Sequence, residues 1–83
     1  PKYQQEIPAA EKLPSELKVK FQKQLEIFSV CVTDKRLNNH ALRGKYLGYR
    51  SIKLTGDWRI IFKEIDQDII LLVNIGTHSQ LYG

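Results

Sequence analysis

The chain has 83 residues, 42% of them hydrophobic and 27% charged, with a formal net charge of +4. That is the length of one domain, so a second hydrophobic core is excluded. No apolar run approaches the roughly 20 residues that span a bilayer, which excludes a membrane-spanning helix, and the single cysteine, Cys31, excludes an internal disulfide. The first residues, Pro1-Lys2-Tyr3-Gln4-Gln5-Glu6, lack the apolar stretch of a secretory signal. With no disulfide framework either, the expected compartment is a reducing cytoplasm, with no membrane partner. Cys31 lies in Phe28-Ser29-Val30-Cys31-Val32 and is expected to be a buried thiol.

In chain order, Lys2–Lys12 reads as a short helix, with Pro8 kinking it or marking its start. From Leu13 the apolar positions Leu13, Leu17, Phe21, Leu25 and Phe28 recur at steps of three or four. That is the stripe of a helix packed on a core, and Pro14-Ser15-Glu16 suits its start. After Asn38-Asn39 the pattern changes to a loop punctuated by Gly44 and Gly48. Arg50, Ile52 and Leu54 then alternate with Tyr49, Ser51 and Lys53, and Thr55-Gly56-Asp57 reads as a hairpin turn into Trp58–Lys63. Asp66-Gln67-Asp68 makes a second turn before Ile69–Ile75, the most apolar run and the expected central strand. The fold class is α+β: two N-terminal helices on a small antiparallel sheet. Residues 1–31 form a helical hairpin, 32–48 a basic loop, and 49–83 the sheet and a C-terminal segment, all in one domain.

The charge is unevenly spread. Residues 1–34 are balanced, residues 35–63 hold eight basic residues against one acid, Asp57, and residues from 64 onward hold three acids and no Lys or Arg. The net +7 of the middle third is interleaved with Tyr46, Tyr49 and Trp58. Cations on phosphates release counterions and aromatic rings stack on bases, so this segment is built for a polyanion. Arg43, Lys45, Arg50 and Lys63 are its candidate polyanion-binding residues, and charge does not say which polyanion. Trp58 reads as core.

Four short motifs follow one another: His40-Ala41-Leu42-x-Gly44, Gly48-Tyr49-Arg50, Asp57-Trp58-Arg59-Ile60-Ile61-Phe62 and Gly76-Thr77-His78-Ser79-x-Leu81-Tyr82. In this order and near this spacing they resemble the RelE/ParE superfamily of bacterial type II toxins, most nearly its YafQ-like branch. The resemblance covers essentially the whole chain. It implies an endoribonuclease that cuts mRNA, usually on the translating ribosome, and a cognate antitoxin partner in a toxin–antitoxin hetero-oligomer. The family normally begins with a strand. Here Pro1 reads as the start of the first helix, so that strand is expected to be missing, by truncation or by a sheet built without it, leaving an exposed edge.

Metal-free RNA cleavage, with no cofactor, needs a base for the ribose 2′-hydroxyl, cations for the phosphate and an acid for the leaving oxygen. An unperturbed imidazole titrates near pH ~6.5, and the chain has two histidines. His78 follows the apolar strand and is expected to act as general acid. His40 opens the basic loop, where YafQ-like proteins have a functional histidine; positioning the phosphate and acting as base both stay open. Lys53 and Arg59, on neighbouring strands, are the expected phosphate cations. Asp57 is a candidate to orient a histidine or the 2′-hydroxyl, and is equally a turn residue. Tyr82 stands where the family has a functional Phe or Tyr. YafQ-like members usually carry an aspartate at the position of Ser51 and a histidine at that of Lys53, so the base is left unassigned. Two alternatives share the fold: a ParE-like inhibitor of DNA gyrase, and a catalytically degenerate binding module.

Overall fold

Residues 2–5, 13–66 and 69–82 are described by the computed structural model. The apolar stripe organises it. Ser15–Val30 forms helix α1, which buries Phe21, Leu25 and Phe28, with Leu13 just ahead of it. Pro14 sits at its N-terminal boundary, and its carbonyl accepts from the N–H groups of Leu17 and Lys18 at 2.9 and 3.0 Å. Phe28 meets Phe62 edge-on, with ring centroids 5.0 Å apart. Truncating a buried aromatic at such a contact costs about 3–5 kcal/mol.

The sheet comprises β1 (Lys2–Gln5), β2 (His40–Ala41), β3 (Arg50–Lys53), β4 (Trp58–Glu64) and β5 (Ile69–Thr77). Its spatial order is β1-β5-β4-β3-β2. The last four are antiparallel neighbours, as the alternation and turns predict. Ile52, Leu54, Ile60, Phe62, Ile70 and Leu72 form the core under α1, with Trp58 packed against it. A smaller cluster on the opposite face joins Leu42, Ile61 and Leu81, with Tyr46, Tyr49, Val73 and Tyr82 against it. The register slips between Ile61 and Phe62: Ile61 pairs with Asn74 and Phe62 with Leu72, so Val73 is the extra residue of a bulge.

Three expectations are corrected. The missing first strand is present: residues 2–5 are a strand and not the start of a helix, and they run parallel to β5 from Lys2↔Ile69 to Gln5↔Leu72. The physical reason is the outer edge of β5, the longest strand, whose backbone groups need a partner on that side. The rest of the anticipated first helix, residues 6–12, lies outside the described residues. The sheet is therefore mixed and not wholly antiparallel. The C-terminal segment that follows the sheet, His78–Tyr82, forms a short helix, α2. Cys31 is exposed and not buried. It falls one residue past α1, beside Val30 at 88% exposure, where the helix has turned its last residues away from the sheet.

Among the described residues two polar side chains are buried, those of Gln24 and Ser51. Gln24 is 3% exposed, and its Nε2 donates to the carbonyls of Arg36 at 3.2 Å and Lys53 at 2.7 Å. It ties α1 to the 3-10 turn Lys35–Leu37 and to the end of β3.

Candidate active site

The face of the sheet away from α1 carries the site. β5 ends at Thr77, and a reciprocal cap starts α2 there. Gln80 N–H donates to Thr77 Oγ1 at 3.2 Å, and Thr77 N–H donates to Gln80 Oε1 at 2.9 Å. Such a box satisfies two amide donors that a helix N-terminus otherwise leaves open. His78 N–H donates to the Asp57 carbonyl at 3.1 Å, which pins this junction to the β3–β4 turn. His78 is thereby presented at the sheet's end, exposed, with its ring 4.7 Å from that of Tyr82.

His40 arrives from β2. Its Nδ1 lies 2.8 Å from the Asn38 carbonyl oxygen. A carbonyl only accepts, so Nδ1 donates, and the lone pair of the neutral ring is left on Nε2. Asn38 holds that carbonyl in place from the left-handed region, at φ 47° and ψ 49°, which asparagine tolerates better than most residues.

Arg59 is half-buried on β4. Its Nη1 donates to the carbonyls of Thr55, Gly56 and Trp58, each at 3.1 Å. The guanidinium is anchored by one nitrogen, and Nε and Nη2 carry its other three donors.

These elements enclose a pocket of about 410 Å³ lined by His40, Leu42, Arg43, Arg59, His78 and Tyr82. Both histidines, Arg59, Tyr82 and Arg43 thus converge. The other candidates do not. Lys53 is the strand-pair partner of Arg59 but lines a different pocket, between α1 and the β3–β4 turn. Asp57 is exposed at the turn and reaches the site through its main-chain carbonyl alone among its described contacts. Arg50 donates from Nε to Asn39 Oδ1 at 2.8 Å and braces the loop. The Lys45 ammonium lies 5.3 Å from the Tyr46 ring centroid, and that of Lys63 lies 5.5 Å from the Tyr49 centroid. Both stand beside the aromatic cluster, outside the pocket lining. Among the described residues no three His, Cys, Asp or Glu side chains gather as a metal site, and no helix is long and apolar enough to cross a membrane.

Sequence reading missed three supporting residues. Gln80 had a signal in Thr77-His78-Ser79-Gln80, the spacing of a capping box. Asn74 and Tyr46, joined by a 3.2 Å bond from Asn74 Nδ2 to the Tyr46 hydroxyl, had none, because the bulge at Val73 brings them together.

Residues 2–83 match the family model described as the bacterial toxin of a type II toxin–antitoxin system, YafQ. The chain belongs to the YafQ family. The mRNA interferase toxin YafQ of Escherichia coli K12 is 28% identical over 82 residues, spanning 98% of this chain and 88% of that protein. In the E. coli DinJ–YafQ complex, a chain 22% identical superposes with a TM-score of 0.65, covering 99% of this chain and 100% of that one. The RelB–RelE antitoxin–toxin complex of Methanococcus jannaschii gives a TM-score of 0.68 at 17% identity, covering 96% and 93%. At these identities the structural likeness establishes the RelE-like fold, and the family match adds the toxin class.

Proposed function

We propose that the chain is an endoribonuclease that cuts mRNA on the ribosome by attack of a ribose 2′-oxygen on the adjacent phosphodiester. The observation that carries this is the convergence of His40, Arg43, Arg59, His78 and Tyr82 on one pocket. Nε2 of His40 removes the 2′-hydroxyl proton. The O2′–P bond forms as the P–O5′ bond breaks, and His78 protonates the departing O5′. The products are a 2′,3′-cyclic phosphate and a 5′-hydroxyl end. Arg59, through Nε and Nη2, and Arg43 stabilise the charge that builds on the phosphorane. Lys53 contributes at longer range from its register position beside Arg59. Tyr82 holds the His78 ring and offers a face to a neighbouring base.

Side chains alone supply this chemistry, without a metal or other cofactor. The partner that silences it is a cognate antitoxin in a hetero-oligomer, as the DinJ–YafQ and RelB–RelE complexes of related toxins support. Gyrase inhibition requires binding only, and no feature of the pocket favours it. The degenerate-module reading has two grounds, an absent first strand and the replacements at Ser51 and Lys53, and β1 removes the first.

A primer-extension map of mRNA after brief expression tests the proposal. Discrete new 5′ ends with wild-type protein, absent with His78→Ala, are expected. Intact message with inhibited gyrase supercoiling is the contrary result.

A further inference from the structure

A second pocket, of about 580 Å³, opens between α1, the Lys35–Leu37 turn and the β3–β4 turn. Lys20 and Lys23 line it from one face of the helix, Arg36 from the 3-10 turn and Lys53 from β3. No acidic residue is among the described residues lining it. Arg36 is paired with Asp34 at 2.9 Å, which offsets one of the four charges. The other cations still repel one another, a cost that a bound anion removes.

The convergence is built into the core. Gln24, buried beneath the pocket, donates to the carbonyls of Arg36 and Lys53, so one amide fastens the three elements that carry the cations. The pocket also shares a wall with the active site. Thr55 and Gly56 line it, and their carbonyls accept from Nη1 of Arg59, which lines the His40–His78 pocket on the other side.

We propose that this pocket is an accessory phosphodiester site, holding the backbone of the RNA whose scissile phosphate lies in the His40–His78 pocket. The proposal rests on the ribonuclease reading and extends it across the β3–β4 turn. Lysines meet backbone phosphates as point charges and read no base edges. The Gln24 amide is spent on main-chain carbonyls, so the site senses charge and strand position, not sequence. The shared wall favours the bound RNA strand over an acidic protein segment as occupant.

The test uses an oligonucleotide methylated at every 2′-oxygen, which binds but cannot be cut. Its affinity is measured by fluorescence anisotropy over a salt series for wild-type protein and two variants. Lys20→Gln/Lys23→Gln removes two pocket charges. Lys18→Gln/Lys35→Gln removes two exposed charges outside the pocket. The pocket pair is expected to weaken binding roughly tenfold near 0.1 M salt and to lower the slope of log K against log salt by about 1.4. The control pair is expected to produce less than half of each change. Equal losses in both pairs, or none in the pocket pair, overturn the proposal. A pocket pair that keeps RNA affinity but loses binding to a polyglutamate peptide also overturns it and assigns the pocket to an acidic protein segment. Wild-type protein that binds the oligonucleotide yet leaves unmodified, ribosome-bound message intact overturns the ribonuclease reading instead, so the two failures are distinguishable.

Discussion

The ring of Tyr82 lies 4.7 Å from the ring of His78 and is tilted by 54° to it, one helical turn further along α2. Five residues of helix do not fix such a pair by themselves. Tyr82 also packs edge-on against Tyr46 at 5.9 Å, and the Tyr46 hydroxyl accepts from Asn74 on β5. The proposed acid is therefore braced to the sheet through two rings.

If the Tyr82 ring positions His78, Tyr82→Phe should cleave RNA at close to the wild-type rate. Tyr82→Ala should be slower by roughly 3–10-fold, the worth of an aromatic pair of about 0.5–1.5 kcal/mol. Single-turnover rates check this. A Phe variant as slow as the Ala variant would transfer the role to the hydroxyl.

His40 is assigned as base because its Nδ1 faces the Asn38 carbonyl. Nitrogen-15 NMR of the neutral ring should show the Nδ1–H tautomer, and Nε2–H would contradict the assignment. Asn38→Val places a β-branched residue at φ 47°, with a cost of about 1–3 kcal/mol. It should lower stability in urea and slow cleavage together.

The fold and pocket were legible to different depths. The stripe Leu13–Phe28 and the alternation through Ile52 and Leu54 are side-chain patterns, and burial follows them directly. His40, Arg59, His78 and Tyr82 stand in the four motifs, so motif order groups them; Arg43, at the unspecified position of the first motif, is expected only among the binding cations and joins them in the pocket. β1 was illegible because its pairing with β5 is a backbone interaction between segments far apart in the chain. Lys53 was misplaced because strand register puts it beside Arg59, whereas the pocket it lines depends on how α1 and the β3–β4 turn close. Gln24 looked like one more polar helix residue. Its partners are main-chain carbonyls, which no side-chain pattern announces.

Gly76 lies where α2 folds back on β5. A Cβ there would come within 3.0 Å of Gln80 Oε1 and 3.4 Å of Leu81 Cδ2. The first atom is the one that caps Thr77 N–H, so Gly76→Ala should break the box. Loss of a cap costs ~1 kcal/mol, and Gln80→Ala should cost a similar amount. Urea midpoints measure both. A Gly76→Ala protein as stable as wild type would show that the box tolerates the shift.

The 3-10 turn beside the accessory pocket has its own acid sensitivity. The side-chain hydrogen bonds from Arg36, and then its backbone N–H, lower the Asp34 carboxyl from 3.8 to about 2. Because the folded value is the depressed one, the contribution of this pair is complete above pH 3.8 and is lost as pH falls through about 2. An NMR titration of Asp34 should show the low midpoint, rising toward the ordinary value in Arg36→Gln.

The central claim is that His40 and His78 act together on one phosphodiester, and single-turnover cleavage of ribosome-bound mRNA tests it most directly. Wild-type protein should cut, His40→Ala and His78→Ala should each be slower by about 10²–10⁴-fold, and the double variant should be little slower than either single one. Unimpaired cleavage by either single variant would contradict the account.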